Sequence, residues 1–411
     1  MKREGRRSPD FQQRLPLLAE RQNMKMARSA HAYVRGSTRR FYEWLDESSA
    51  SLPAGPPVWI CGDCHVGNLG PLADAQGRVA IQIRDLDQTV IGNPAHDLIR
   101  LGLSLATAAR GSDLPGVTTA YMIEEMTKGY EHALTDEGYD AKDGEPMPEV
   151  VRAVLRQARG RKWRHLAREH IEDMKPTIPL GEQFWALSDD ENREITQLFE
   201  GEQASAFMAT LHPGHGGNLT VHDVAYWVKG CSSLGLLRYA VLLGIGKGRD
   251  ERLCLVDIKE AVHTAAPRAR HAAMFRATMP GDHAQRVVEG ARNLAPFLGE
   301  RMTATQLLGR PVVMREMLPQ DLKLELDQLT REEAVTAARY LAWVVGHAHA
   351  RQMDPATRHA WRRELENSRQ ASDLDAPPWL WSSIVQLVAV HETAYLEHCR
   401  THRLAEPAVA A

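Results

Sequence analysis

Three polar side chains near the start of the chain have the types and the spacing that phosphoryl transfer requires. Asp63 and Asn68 lie five residues apart in the segment GDCHVGN (62–68), and Asp85 ends the next apolar run. A carboxylate can orient an attacking hydroxyl group, while an amide oxygen and a second carboxylate can hold magnesium at the phosphates of a nucleotide. We therefore interpret Asp63 as a candidate catalytic base and Asn68 and Asp85 as candidate magnesium ligands.

Two short apolar runs around this segment would position the three side chains. The run PPVWICGD leads into it, and the run over residues 79–83 alternates apolar with small or polar residues, which predicts a β-strand. The sequence DAQG (74–77) is typical of a turn. A hairpin that runs from Asn68 back to Asp85 would bring both to the same end of neighbouring strands.

A second group of candidate residues lies far along the chain, in a block rich in β-forming residues. The segment GCSSLG (230–235) precedes two predicted strands, Tyr239–Ile245 and Arg252–Lys259. Small residues let backbone amides approach phosphate groups, which predicts a nucleotide-covering loop here, although an ordinary turn has the same composition. The loop residues that we expect to contact a nucleotide are Gly230, Ser233 and Gly235.

Lys259 ends the second of these strands, where a charged group is costly unless it meets an anion. We interpret it as the cation that pairs with the α- and β-phosphates; the alternative is a lysine whose stem covers the end of the strand. Glu289, in a helix predicted over Gln285–Leu298, is our candidate for the carboxylate that holds Lys259, and Glu260 is a nearby alternative.

Two of these segments resemble motifs of aminoglycoside phosphotransferases and choline kinases. Their catalytic loop reads H-G-D-x-H-x-x-N, which GDCHVGN resembles, with Cys61 in the place of the first histidine. In their metal-binding segment an aspartate is followed by glycine seven residues later and by a second aspartate twelve residues later, as are Asp85, Gly92 and Asp97 here. We expect Asp97, which opens a helix, to cap that helix and brace the catalytic loop.

The chain as a whole is most similar to the bacterial family catalogued as Domain of Unknown Function 2252, which is assigned to the kinase-like fold. The similarity covers roughly residues 24 to 400 and rests on KMARSAHAYVRG, GDCHVGN, IRDLDQT, GCSSLG, VDIKEA and RVVEGARNL. Together with the phosphotransferase motifs, it implies ATP- and magnesium-dependent phosphoryl transfer to a small-molecule hydroxyl group.

The order of the motifs implies an α+β fold of the two-lobed protein-kinase type with circularly permuted connectivity. Kinase-like chains ordinarily run from the glycine-rich loop to the catalytic loop, whereas here the catalytic loop comes first. We expect a flexible segment (1–23), a mostly helical large lobe with the catalytic loop and metal-binding hairpin (24–224), a small antiparallel β lobe that binds the nucleotide (225–318), and helices that complete the large lobe (319–411).

Two further expectations follow from this arrangement. A helix predicted over Arg331–Ala350 resembles the one that ordinarily leads into the catalytic loop, so its end should lie beside Pro57–Cys61. The apolar run VVMREM (312–317) should form a strand that leads to an adenine-binding segment near Glu316–Leu318.

The composition limits the possible partners. The 50 basic and 53 acidic residues leave a formal charge of −3, so no overall positive field favours nucleic acid or an anionic membrane. Five cysteines without a regular metal-binding spacing, and the lack of a long apolar run, predict a cytoplasmic protein. The basic segment 152–168 either attracts phosphates or forms a solvated helix face. We expect a nucleotide and an unidentified small-molecule acceptor as partners; the sequence predicts no oligomeric state.

Other functions fit parts of the same pattern. The nucleotide site could transfer AMP, phosphorylate a protein, or bind a nucleotide as a sensor without turnover. A hydrolytic metal cluster is a further interpretation, and its members would be Asp63, His65, Asp85 and Asp87. Such a cluster needs additional histidines in a G-N-H context, which the chain does not have at Gly217–Leu219. Asp87 is either a second metal ligand or a structural acceptor.

Overall fold

The computed structural model describes residues 11–48, 52–137, 144–170, 177–212, 219–231, 233–246, 251–267, 279–324, 328–370 and 374–402. Its helices are α1 (Phe11–Met26), α2 (Ala30–Gly36), α3 (Thr38–Ser48), α4 (Pro94–Gly111), α5 (Gly116–Ala133), α6 (Glu149–Gly160), α7 (Trp163–His170), α8 (Asp189–Glu200), α9 (Glu202–Leu211), α10 (His283–Leu294), α11 (Pro296–Gly299), α12 (Arg331–Ala350), α13 (Pro355–Gln370) and α14 (Pro378–His402). Its strands are β1 (Val58–Ile60), β2 (Leu69–Ala73), β3 (Val79–Ile83), β4 (Val90–Gly92), β5 (Phe184–Trp185), β6 (Leu219–Trp227), β7 (Arg238–Ile245), β8 (Arg252–Glu260), β9 (Met302–Leu307) and β10 (Arg310–Met317).

The strands pair only antiparallel within these described residues. The largest sheet has the order β5-β6-β7-β8-β10-β9, and two smaller pairs join β1 with β4 and β2 with β3. Helices make up most of the rest of the ordered structure. The predicted α+β class with an antiparallel sheet is therefore confirmed.

The six-stranded sheet is covered on both faces. In β7, Val241 and Leu243 pack into one apolar cluster with residues of α1, α8 and α9, whereas Ala240 and Leu242 pack into a second cluster around Trp227. Successive side chains point to opposite faces of a strand, so a run in which every residue is buried needs cover on both sides. The continuous apolar run of β7 thus places this strand at the centre of the sheet.

From residue 11 the N-terminal segment differs from our expectation of a flexible stretch over residues 1–23; residues 1–10 lie outside the described residues. Phe11–Met26 is a helix, and its Leu18 joins the apolar cluster of the six-stranded sheet. The guanidinium group of the buried Arg14 donates hydrogen bonds to both carboxylate oxygens of Glu191, at 2.8 and 2.9 Å. The helix is anchored by one apolar and one charged residue rather than by an apolar stripe, so its sequence shows little periodicity.

The six-stranded sheet also begins earlier than the predicted start at residue 225. Strands β5 and β6 come from residues 184–185 and 219–227, and α8 and α9 cover the same sheet, although all lie in the stretch that we predicted to belong to the helical part. The half of β6 before Ala225 is only partly buried, so LTVHDVAYW lacks the apolar density that marks β7. The sequence signal for a strand is weak where one edge of a sheet faces solvent.

Helices α4, α5 and α6 pack against α12, which spans the predicted residues. Its start is fixed by a capping box in which the side chains of Thr330 and Glu333 each accept a hydrogen bond from the other's backbone N–H. Its end lies beside β1, as predicted, because the Gln352 side chain accepts from the N–H of Trp59 at 2.7 Å and donates to its carbonyl at 3.0 Å. None of the helices in the described part of the chain combines the length and the apolar character needed to cross a membrane.

Candidate functional site

The segment GDCHVGN follows β1, and contacts with the first turn of α4 fix the position of its first residues. The backbone N–H groups of Cys61 and Gly62 donate to the two carboxylate oxygens of Asp97, at 2.7 and 2.9 Å. His349 of α12 lies 3.2 Å from the same carboxylate. The prediction that Asp97 braces this loop is confirmed, but the predicted cap is wrong: the side chain of Asn93 caps α4, and Asp97 lies within its first turn.

Asp63 is buried and paired with a buried cation. Arg100 of α4 donates from Nε to Oδ1 of Asp63 at 2.8 Å, and it also donates to the carbonyl of Val34. Burial raises the pKa of Asp63 above its usual range, although the charge of Arg100 opposes the rise. The carboxylate thus has a fixed orientation together with an increased proton affinity.

Asn68 and Asp85 meet at one end of the β2–β3 hairpin, as predicted. The register pairs Leu69 with Ile83, and the N–H of Arg84 donates to the carbonyl of Asn68 at 2.7 Å. The side-chain amide of Asn68 donates to the carbonyl of Asp63 at 2.9 Å, so its oxygen is left to accept or to ligate. The hairpin therefore links the three residues that the sequence singled out.

Lys259 reaches this hairpin from the six-stranded sheet. Its Nζ lies 3.5 Å from Oδ2 of Asp85 and forms a closer ion pair with Asp87. Burial alone would raise the pKa of Asp85, but the charge of Lys259, followed by those of Arg238 and Arg315, lowers it well below the usual range. The pKa of Asp87 is raised, first by burial and then by its negative neighbour Asp85.

The predicted pair between Lys259 and Glu289 is replaced by other contacts. Glu289 forms an ion pair with Arg292 on its own helix, 3.3 Å away. The residue of α10 that reaches towards the metal-binding segment is Arg286, which donates to the carbonyls of Asp87 and Val262 at 2.9 and 3.0 Å. Arg286 is buried whereas Glu289 is only partly buried, so the choice of Glu289 identified the correct helix but not the residue that contacts this segment.

A cavity of about 100 Å³ joins the two groups of candidate residues. One wall is formed by the GDCHVGN segment and the β2–β3 hairpin, through Asp63, Asn68 and Asp85. The loop after β6 contributes Gly230 and Ser233 to the other wall. An adjoining cavity of about 40 Å³ shares Asp85 and adds Lys259 and Asp87. Of the predicted nucleotide-contacting residues, Gly235 and Glu289 line neither cavity; Ser232, in the middle of the predicted loop, lies outside the described residues.

Six cationic side chains surround the larger of these two cavities, and sequence reasoning identified none of them. They are Arg35, Arg84, Lys229, Arg238, Arg315 and Lys323. Arg238 is held by two hydrogen bonds to Asp257 on the neighbouring strand β8, at 3.0 and 2.7 Å, and Arg315 donates to the same carboxylate from β10. For Arg238 and Arg315 the available signal was a charged residue within or at the start of an apolar strand, because such a residue needs a partner.

Lys229 and His65 add two groups with altered proton affinity to the wall of this cavity. The Nζ of Lys229 lies 3.8 Å from the ring centre of Trp227, and burial followed by the charge of Arg238 lowers its pKa well below the usual value. Burial, with the charge of Arg100 second, also lowers the pKa of His65, which is therefore neutral at pH 7. The Nδ1 atom of His65 is buried and has no hydrogen-bond partner within the described residues, so it is available to a ligand.

The balance of positive and negative side chains indicates whether this cavity suits a free magnesium ion or a magnesium–nucleotide complex. Among the described residues, Asp63 and Asp85 face six basic side chains in this cavity, and Asp257 balances only Arg238 and Arg315, so the lining keeps a positive surplus that disfavours a free divalent ion. A magnesium–nucleotide complex carries a net negative charge and is attracted by the same cations. The donors Asp85 and Asn68 suit magnesium, which binds carboxylate and amide oxygens together with nucleotide phosphates. The residues therefore fit the metal as part of a nucleotide complex.

A different set of potential metal ligands lies at the end of β10. One side-chain atom from each of His212, Cys254 and Glu316 lies within 4.8 Å of the others. Nε2 of His212 lies 3.1 Å from Oε1 of Glu316, and burial raises the pKa of the Cys254 thiol well above its usual value. This contact gives Glu316 a structural partner at the predicted adenine-binding segment.

Most of the chain matches a known bacterial family. The model of that family, described as "Uncharacterized protein conserved in bacteria (DUF2252)", matches residues 14–401. No curated protein and no solved structure matches significantly.

Proposed function

The chain belongs to the bacterial family DUF2252, as its motifs predicted, and we propose that it is an ATP- and magnesium-dependent phosphotransferase acting on a small-molecule hydroxyl group. One observation carries the proposal: Lys259 meets Asp85 at the same cleft that Asp63 and Asn68 line, although these residues come from distant parts of the chain. Phosphoryl transfer needs this combination of base, metal ligands and phosphate-binding cation.

Asp63 would orient the acceptor hydroxyl group and take its proton. Arg100 occupies Oδ1, and Oδ2 lies 3.8 Å from Nε2 of His65 at the wall of the cavity. The raised pKa of Asp63 makes its carboxylate a better proton acceptor near neutral pH than an ordinary aspartate. Arg100 would keep the remaining oxygen in position as the acceptor binds.

Asp85, Asn68 and Lys259 would act on the nucleotide. When bound, ATP supplies the phosphoryl group and magnesium neutralises charge on its phosphates. Asp85 is ionised because cations lower its pKa, so together with the amide oxygen of Asn68 it can hold the metal without a proton to displace. Lys259 now pairs with Asp85 and Asp87 and would turn to the α- and β-phosphates.

We propose further that the fold is a circularly permuted, two-lobed kinase-like fold. In support, the six-stranded sheet has the antiparallel character of a small nucleotide-binding lobe, and the helices around α12 resemble a large lobe. The end of α12 lies against β1, where a kinase-like helix would lead into the catalytic loop. Residues 316–318, at the end of β10, would hold the adenine.

A nucleotide sensor without turnover is the second candidate, and a specific contact favours it. The hydrogen bond from Arg100 occupies one oxygen of Asp63, the loop carboxylate that we propose as the base for the acceptor hydroxyl group. A charge partner lowers the basicity that a catalytic base needs. Transfer of AMP, or transfer to a protein, would use the same cleft.

Isothermal titration with ATP and magnesium tests the nucleotide site. We expect the wild-type protein to bind the complex and Lys259→Met to bind at least about tenfold more weakly, since a charge-assisted contact is lost. The matched control is Lys162→Met, whose lysine is exposed and lies outside both cavities. Wild-type protein that binds no nucleotide with or without magnesium would overturn the proposal.

A second variant separates transfer from sensing. Asp63→Asn should leave ATP affinity nearly unchanged and lower single-turnover transfer by a factor on the order of 10² to 10⁴, as for a lost general base. Mass spectrometry of metabolites and protein after incubation with ATP would identify the acceptor and show whether a phosphoryl group or AMP moved. If the wild type binds ATP but shows no more transfer than Asp63→Asn, the sensor is the correct function.

A further inference from the structure

A larger cavity lies on the other side of the β2–β3 hairpin, away from the proposed active site. Its volume is about 730 Å³, and β3, α6 and α12 form its walls. Pockets that bind small organic molecules typically enclose about 300 to 1,000 Å³. No residue that we assign to phosphoryl transfer lines it, so a ligand bound there would not contact the proposed nucleotide site.

The floor of this cavity is apolar and partly aromatic. Ile83 and Leu155 contribute aliphatic surface, and the ring of Trp343 stacks on that of His347 with the ring centres 5.3 Å apart. The indole N–H of Trp343 is buried and has no hydrogen-bond partner in the described part of the chain. A floor of this kind binds an apolar body and offers one unused donor to a polar group on it.

The rim of the cavity is basic. Arg152, Arg156 and Arg159 follow one another at intervals of four and three residues along α6, which places them on one helix face, and Arg351 stands at the end of α12. The basic segment noted in the sequence therefore lines a cavity instead of simply facing solvent.

Among the described residues, the carboxylates near this rim do not balance it. Arg152 and Arg156 share the single carboxylate of Glu149. Glu145 also lines the cavity, but its oxygens already pair with His132 and Arg339. The rim thus carries a positive surplus above an apolar floor, which is the complement of an amphipathic anion.

We propose that this cavity binds a small organic anion that has an apolar body and a single carboxylate or phosphate head group. The body lies against Trp343 and the aliphatic floor, and the arginines of α6 hold the head group through charge-assisted hydrogen bonds. An aromatic acid and a medium-chain fatty acid both have this chemistry. The proposal does not depend on the nucleotide site.

Fluorescence titration with two dyes of similar shape tests the proposal. The anionic dye is 8-anilinonaphthalene-1-sulfonate, and its neutral counterpart is N-phenyl-1-naphthylamine. We expect the anionic dye to bind the wild-type protein at one saturable site at least about tenfold more tightly than the neutral dye, because the rim contributes charge-assisted contacts. Decanoate and 1-naphthoate should displace it, and their relative potency distinguishes an aliphatic from an aromatic ligand.

Substitutions at the rim and in the wall of the cavity test whether the dyes bind there. Arg156→Gln with Arg159→Gln should weaken binding of the anionic dye about tenfold and leave the neutral dye unaffected. The control, Arg193→Gln with Arg363→Gln, removes the same charge from α8 and α13, outside the cavity, and should change neither. Ala348→Leu adds volume to the wall and should weaken both dyes.

Three results would overturn the proposal: equal affinity of the two dyes for the wild type, equal effects of the two arginine pairs, or failure of both acids to compete. The arginines are exposed, so their replacement leaves folding intact, and thermal unfolding of each variant checks this.

Discussion

The two sides of the cleft hold their carboxylates in opposite ways. On the catalytic-loop side, Asp63 is buried against Arg100 of α4, and burial raises its pKa. On the hairpin side, the side chain of Asp85 is 42% exposed, and its pKa is lowered by Lys259 and the arginines of the sheet. One carboxylate is therefore set up to accept a proton and the other to stay ionised.

Asp63 and Asp85 also differ in which part of the molecule supplies their cationic partner. The partner of Asp63 comes from α4, in the same helical part, so the catalytic loop keeps its geometry whatever the six-stranded sheet does. The partner of Asp85 comes from β8 in the sheet. We infer that the loop is preorganised, while the position of the proposed metal ligand Asp85 depends on the position of the sheet.

Removal of Arg100 should have the largest effect on the loop side. Arg100→Met leaves Asp63 buried without its cation, which costs about 3–5 kcal/mol in the free energy of unfolding. Urea denaturation measures this loss. The control is Arg110→Met on the same helix, whose arginine is exposed and pairs with Glu392, and which should cost less than about 1 kcal/mol.

A double-mutant cycle decides whether the loss comes from the unpaired charge. Adding Asp63→Asn to Arg100→Met removes that charge, so the double variant should be more stable than the sum of the two single losses predicts. Simple additivity would show that Arg100 stabilises the protein through packing instead.

The corresponding change on the sheet side should cost less. Asp257→Asn removes the shared partner of Arg238 and Arg315, but both arginines line the cavity that contains Asp85 and can turn towards it. We expect a loss of about 2–3 kcal/mol by urea denaturation. Asp190→Asn, at an exposed aspartate of α8, is the control; equal losses would show that the arginines do not depend on Asp257.

The sequence predicted the GDCHVGN loop and the β2–β3 hairpin better than the six-stranded sheet, for a physical reason. The strand, turn and strand around GDCHVGN have local patterns, so the hairpin and the meeting of Asn68 with Asp85 followed from them. α12 was predicted to the residue because the apolar face of a helix is a local signal, and its capping box, which the prediction did not use, lies at the same start.

Local sequence patterns did not reveal which residues the charged side chains would contact. Arg100 meets Asp63, and Lys259 meets Asp85, through contacts between residues that are distant in sequence. Charge alone does not say which carboxylate is reached, so Glu289 was chosen by analogy with kinase-like folds and proved to pair elsewhere. α1 was missed because its anchor, Arg14, is a buried cation with a remote partner.

The two carboxylates should also give opposite dependences on pH. The raised folded-state pKa of Asp63 adds stability that is fully present below its unfolded value, about 3.9, and is lost as pH rises through the folded value. The lowered pKa of Asp85 adds stability that is present above the unfolded value and lost as pH falls.

Urea denaturation between about pH 3 and pH 6 measures both contributions. As pH falls, the stability difference between wild type and Asp63→Asn should grow, whereas that between wild type and Asp85→Asn should shrink. A tenfold difference in proton affinity between the folded and unfolded states corresponds to about 1.4 kcal/mol in the free energy of unfolding. Curves that move in the same direction would contradict the contrast between the two sides.

The smallest expected effect concerns the loop after β6, the part of the sheet side that faces the proposed nucleotide. Gly230 and Gly235 have positive φ angles of 90° and 96°, so alanine at either position should cost about 1 kcal/mol in unfolding free energy. Their surroundings differ, because a Cβ at Gly230 would lie 2.3 Å from Oγ of Ser233, whereas one at Gly235 meets only Leu15 at 3.9 Å. Gly230→Ala should therefore shift the cavity-lining Ser233 and weaken binding of the magnesium–ATP complex in isothermal titration, and Gly235→Ala should leave it unchanged. Equal weakening by both would mean that the conformation of the whole loop, rather than the wall at Gly230 and Ser233, governs nucleotide binding on the sheet side.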